Sequence, residues 1–158
     1  MKKKLTFVCV FLLLSNFVLS ASPSSVQAAN RRTAVRCLKL AKNYLSSNEI
    51  ENALAQVELA LSYDSTISDL WYIKAAALNL KGEARANIIP LVMKAMTEGE
   101  WVDYNRDGAR ILYADMLCDT GSYDQALAIL DTTPFIYNAD AELIFSLALS
   151  TLSSVPIL

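Results

Sequence analysis

Laid against itself, the chain repeats. The stretch from Ala34 to Tyr44, followed by Asn52-Ala53-Leu54 and Glu58-Leu59-Ala60-Leu61, aligns with Leu70 to Leu78 followed by Lys94-Ala95-Met96. It aligns again with Ala109 to Leu117, followed by Gly121-Ser122-Tyr123 and Ala126-Leu127. The corresponding starts are Ala34, Ser68 and Asp107, and a partial copy begins near Ala141, giving spacings of 34, 39 and 34 residues. Self-similarity at such a period constrains the fold more than any composition. Each copy is one supersecondary unit that cannot bury its apolar face alone, so the units must stack on their neighbours.

Composition says which unit. The chain is 54% hydrophobic with four Gly and four Pro, and few breakers among many Ala and Leu favour helices. Beyond the N-terminus no Val-, Ile- or Thr-rich run alternates with period two, so the fold class is all-α. In the first unit Leu38, Leu40, Ala41, Tyr44 and Leu45 form a helical stripe. Asn48 with Glu51 has the spacing of a capping pair that would open a second helix. Gly82 and Gly121 stand where the first helices of the next two units end, a place where a left-handed cap favours Gly. Pro90 is tolerated in a first turn, which predicts a second-unit second helix starting near Asn87. The third unit's second helix should stop before Pro134, and the fourth has a first helix alone, Asp140 to Leu152.

This pattern resembles the tetratricopeptide repeat, whose period is ~34 residues. Trp71 takes the Trp place of the second unit. Ala41, Ala75 and Ala114 take the small Gly or Ala place, and Tyr44, Leu78 and Leu117 the large Tyr place. Ala53 and Ala126 match the small residue of the second helix, Val57, Val92 and Leu130 the Phe place, and Ala60 the next small one. Ser65 replaces the usual Pro after the first unit, and the second unit carries about five extra residues. The resemblance implies a right-handed α-solenoid of about three helix-turn-helix repeats plus a final unpaired helix. The repeats would run over about 34–67, 68–106 and 107–140, with a partial one at 141–158.

Residues 1–28 read as a secretory signal peptide. Lys2, Lys3 and Lys4 precede the uncharged apolar run Leu5 to Leu19, and small and polar residues follow. The run is shorter than the ~20 residues of a spanning helix. Cleavage is expected after Ala28, with Ala21 as the second choice. Cys9 lies inside the apolar run and cannot be a lipid-anchored first residue. The expectation is an exported protein, periplasmic or secreted and not a lipoprotein, with no stable membrane insertion after cleavage. Residues 29–33 would be a short basic lead-in and 34–158 the repeat domain.

Charge is segregated along the chain. Arg31, Arg32, Arg36, Lys39 and Lys42 fall in a stretch without an acid. Ten acids between Glu98 and Glu142 face two arginines, Arg106 and Arg110. Removing Lys2–Lys4 leaves 11 basic against 16 acidic groups, a net charge of −5, which argues against nucleic acid as a partner. Cys37 and Cys118 fall on first helices of non-adjacent units, too far apart to bridge, and read as small apolar packing residues.

Catalytic and metal motifs are sparse. The chain has no His, the commonest general base and metal ligand, and no G-x-S-x-G, Walker or Rossmann pattern. Asp103, Asn105 and Asp107, followed by Gly108, spell the first half of a calcium loop. Its closing bidentate acid would fall at Ala114, and Asp107 reads equally as the cap of the next helix. Glu98 and Glu100 flank Gly99 in a linker, a poor place to bury a carboxyl for acid–base work. No cofactor is expected, and the chain reads as a non-enzyme.

The resemblance places the partner-binding surface on the face of the first helices. In register its candidates are Leu38, Lys42 and Leu45, then Tyr72, Ala76 and Asn79, then Ile111, Asp115 and Cys118. Leu38, Lys42, Tyr72, Asn79, Ile111 and Asp115 are the residues expected to meet another protein or peptide. Leu38, Ile73, Gly108 and Leu112 occupy places where relatives that clamp chaperone tails carry polar side chains, so that ligand is disfavoured. The function implied is a non-catalytic scaffold or adaptor in the bacterial cell envelope. The alternatives are a self-associating structural protein or an N-terminal part of a longer repeat protein, with an envelope enzyme third. Self-association would use the uncovered last helix through Leu143, Ile144, Leu147 and Leu149.

Overall fold

A computed structural model describes residues 23–133, 144–148 and 151. Among them the chain is all-helical: α1 Pro23–Ser46, α2 Ile50–Tyr63, α3 Ser68–Lys81, α4 Arg85–Thr97, α5 Arg106–Asp119 and α6 Tyr123–Asp131. Residues 144–148 are helical as well. Each of the six helices packs on the next in chain order, and α1 also touches α3. Among the described residues, extended pairing is limited to one parallel bridge, Ile67 with Glu100.

The first helix of each unit ends in the same way. Asn48, Gly82 and Gly121 have φ of 59°, 80° and 76°. At all three, the N–H of the left-handed residue reaches the carbonyl three residues back, and the next N–H reaches the carbonyl five residues before it. The bonds are Asn48 to Leu45 (3.0 Å) and Glu49 to Tyr44 (2.8 Å), then Gly82 to Asn79 (3.0 Å) and Glu83 to Leu78 (3.0 Å). In the third unit Gly121 bonds to Cys118 (3.0 Å) and Ser122 to Leu117 (2.8 Å). Asn48 is therefore a C-terminal cap and does not open α2. Glu49 precedes α2 and makes no side-chain cap; its carboxylate accepts from Asn52 at 2.7 Å. Asn suits the role because its short polar side chain tolerates the left-handed region better than most.

Equivalent interior positions are buried in every unit. Ala41, Ala75 and Ala114 have no exposed surface, and neither do Val57 and Val92, while Leu130 keeps 1%. The core falls into three successive clusters. α1 and α2 with the start of α3 bury Leu38, Val57 and Ile73. α3, α4 and α5 bury Ile88, Val92 and Met116. α5 and α6 with the 144–148 turn bury Leu117, Leu130 and Ile144. Each fully buried Leu or Ile is worth roughly 1.5–3 kcal/mol relative to exposure, so no unit can forgo its neighbour.

Three expectations are corrected here. The first helix begins at Pro23, well before Ala34, and runs unbroken through the supposed lead-in 29–33. Leu40 does not belong to the buried stripe; it is 46% exposed, because the buried set is Ala34, Cys37, Leu38 and Ala41. α4 begins at Arg85, with Pro90 inside it. Ala86, Pro90, Met93 and Thr97 are all exposed, so Pro90 sits on the outward face. There the Ala86 carbonyl, which loses its N–H partner, can be hydrated. The third unit's second helix ends at Asp131, before Pro134 as expected.

Candidate functional site

The first helices of the units, α1, α3 and α5, carry the residues that the register assigns to partner binding. α3 and α5 approach closely: a Cβ on Gly108 would lie 3.1 Å from the Tyr72 hydroxyl. The segment between α4 and α5, residues 98–105, crosses to the start of α3 and is pinned there. Asp69, fully buried, accepts the backbone N–H groups of Val102 (2.7 Å), Asp103 (2.9 Å) and Tyr104 (2.6 Å). Ser68 donates its hydroxyl to the Glu98 carbonyl at 2.5 Å and its N–H to the Glu100 carbonyl at 2.9 Å. Glu100 returns an N–H to Thr66 at 2.9 Å. Gly99, at φ 82°, is required because a Cβ there would lie 2.0 Å from the Thr66 carbonyl oxygen. Three N–H donors suffice to hold a carboxylate out of water.

This loop brings its aromatic residues onto the candidate surface. Tyr104 meets Tyr72 edge-on at 5.2 Å between centroids, and Trp101 meets Tyr72 at 6.2 Å. Lys42 lies 4.7 Å from the Tyr104 ring centre and donates to Asp103 at 2.7 Å. The hydrogen bond to Asp103 holds the Lys42 ammonium above its ordinary range. Burial pushes the phenols of Tyr72 and Tyr104 up. Lys42 and Tyr72 are thus brought together, through a residue of the chain's own loop.

Asn79 lies apart from that pair. It accepts from the Arg85 guanidinium, which also binds Asp119, so the ends of α3 and α5 are tied to the start of α4. Ile111 and Asp115 are half-buried on α5. Leu38 is a correction: with no exposed surface it is core and cannot reach a partner. Cys118 is 7% exposed and Cys37 likewise 7%; both are free thiols, and burial raises that of Cys118.

The candidate calcium residues serve other purposes. Asp103 pairs with Lys42, Asn105 accepts from the Gly108 N–H at 3.3 Å to cap α5, and Asp107 pairs with Arg110 at 3.1 Å. The cap is therefore Asn105, with Asp107 inside the first turn of the helix. Among the described residues no cluster of three or more His, Cys, Asp or Glu could hold a metal ion. At the C-terminal end, Ile144 is 8% exposed and packs in the third core cluster, so it is no interface residue; Leu147 is 54% exposed. Leu143 and Leu149 lie outside the described residues, as do residues 1–22 of the expected signal peptide. Among the described residues no helix is long and apolar enough to cross a membrane.

Sequence reasoning missed Asp69, Trp101 and Tyr104. The signal was the five-residue excess of the second unit: extra chain between two packed helices has to be fastened somewhere, and Asp69 at the head of α3 fastens it.

No family model matches the chain. Among curated proteins it is similar to an uncharacterized protein of Treponema pallidum (strain Nichols), 28% identical over 104 residues. The match covers 65% of this chain and 13% of that protein, so the chain spans a small fraction of the relative's length.

Proposed function

We propose that the protein is a tetratricopeptide-like adaptor: a right-handed solenoid of about three helix pairs that binds other proteins and catalyses nothing. The observation that carries this reading is the identical left-handed ending at Asn48, Gly82 and Gly121, whose separations of 34 and 39 residues equal those of the sequence repeat. A fold that reuses one turn at the repeat period, with a buried Ala at the same place in each first helix, supports a stacked array. Such arrays present a row of first helices, and proteins use such rows to bind extended or helical segments.

The partner surface is that row of first helices: Lys42 and Tyr72 with Tyr104 at one end, then Ala76, Asn79, Ile111 and Asp115, all partly buried. The Lys2–Lys4 cluster and the Leu5–Leu19 run support export to the envelope. A photo-crosslinking residue at Ala76 or Asn79 should capture envelope proteins that the same residue at Ala55 or Ala86, exposed on α2 and α4, does not. Equal capture from both sets would reject the surface.

A second reading, a structural protein that self-associates through its C-terminal end, is supported by Leu147, which is 54% exposed. Sedimentation velocity decides whether copies associate.

A further inference from the structure

α1 carries a basic stripe that the adaptor reading leaves unused. The helix is 24 residues long, about 36 Å. Arg32, Arg36 and Lys39, at i, i+4 and i+7, share one of its faces. All three are exposed and, among the described residues, have no ion pair or hydrogen bond. The neighbouring cations differ: Arg31 is held by Asp64 at 3.2 Å and Glu100 at 2.7 Å, and Lys42 by Asp103 at 2.7 Å. No acid stands on α1. A shallow depression of about 390 Å3 on this helix is lined by Ala28, Arg31, Arg32, Val35 and Arg36. Clustered guanidinium groups beside small apolar ones suit a phosphate carried on an apolar body.

We propose that the Arg32–Arg36–Lys39 face of α1 is a docking surface for anionic lipid headgroups. Position in the chain selects this occupant over an acidic protein. The apolar run ends at Leu19 and α1 begins at Pro23, so fully extended chain separates them by at most about 14 Å. Arg32 stands nine residues into α1, about 14 Å further along the helix, so whenever the run lies in a bilayer, during export or as a retained anchor, α1 lying along the surface brings the stripe to the headgroup layer. The remainder of the protein is acidic and is repelled from the same surface, which orients the helix row away from the membrane. The inference shares with the export reading the position of the leader and needs no groove.

The test uses the protein in the processed form found in its own cell, its first residue read by mass spectrometry. It should bind vesicles containing phosphatidylglycerol more tightly than pure phosphatidylcholine, and that preference should vanish at high salt. The triple variant R32Q/R36Q/K39Q should retain its helical circular dichroism and bind those vesicles roughly 100-fold more weakly, while R106Q, at another exposed arginine, should bind as the parent does. Equal binding to both vesicle types, or a triple variant that binds unchanged, overturns the proposal. Capture by polyglutamate without capture by vesicles also overturns it and assigns the stripe to an acidic protein. Crosslinking at Ala76 and Asn79 reads a different surface, so either reading can fail alone.

Discussion

The buried carboxylate of Asp69 accepts the backbone N–H of Tyr104 from 35 residues away in sequence, at 2.6 Å. With the N–H groups of Val102 and Asp103 it converts the longest connection among α1 to α6 into a fixed ledge. Asp69→Ala should strand three donors and cost roughly 3 kcal/mol or more in urea unfolding, since hydrogen bonds to a charged group are worth about 1.5–3 kcal/mol each. A loss below about 1 kcal/mol would mean that the ledge is not held by Asp69.

Gly99 and Gly121 share a positive φ and differ in surroundings. At Gly121 an added Cβ meets nothing within 4 Å, whereas at Gly99 it meets the Thr66 carbonyl oxygen at 2.0 Å. Gly121→Ala should cost about 1–2 kcal/mol, the penalty of a left-handed L-residue. Gly99→Ala should cost distinctly more, because backbone must move as well. Thermal unfolding of the two variants side by side checks the order; equal losses would contradict the close approach at Thr66.

Ala114 lies fully buried between α5 and α6. Ala114→Leu should destabilise by roughly 1–3 kcal/mol through overpacking. Unchanged stability would place Ala114 outside the helix contact and undo the register.

Asp64 supplies a pH dependence. Burial alone would raise its pKa, but the hydroxyl and N–H of Thr66 and the Arg31 guanidinium outweigh burial and hold it below the ordinary value. A lowered folded pKa contributes stability that is present above the unfolded value and is lost as pH falls through the folded one. Asp64→Asn should therefore flatten the decline in stability below about pH 4, seen in unfolding curves taken across acidic pH. A parallel offset with the slope unchanged would show that Asp64 does not titrate with folding.

Export predicts a shortened N-terminus. Cleavage after Ala28 would remove the first six residues of α1, Pro23 to Ala28, and cleavage after Ala21 would leave the helix whole. Mass spectrometry of the envelope-localised protein should find a first residue at Ala29 or Ser22; an intact Met1 there would refute processing.

The sequence by itself determined the units. The recurrence of Ala41, Ala75 and Ala114, and of Gly82 and Gly121, set where first helices lie and where two of them end. These are local demands: a small side chain where two helices touch, and a residue free of the Cβ penalty where a helix turns back. Tertiary structure decided what one-dimensional register cannot. Leu38 and Tyr72 hold the same place in successive units, yet Leu38 is sealed into the core and Tyr72 keeps part of its surface open, because burial depends on what packs over a position. Asp103, Asn105 and Asp107 spell a calcium loop in sequence, but Lys42, Gly108 and Arg110 engage them separately, and a ligand set exists only if its oxygens converge. The pairing of Asp69 with Tyr104 joins residues 35 apart, a closure whose partner no local pattern names.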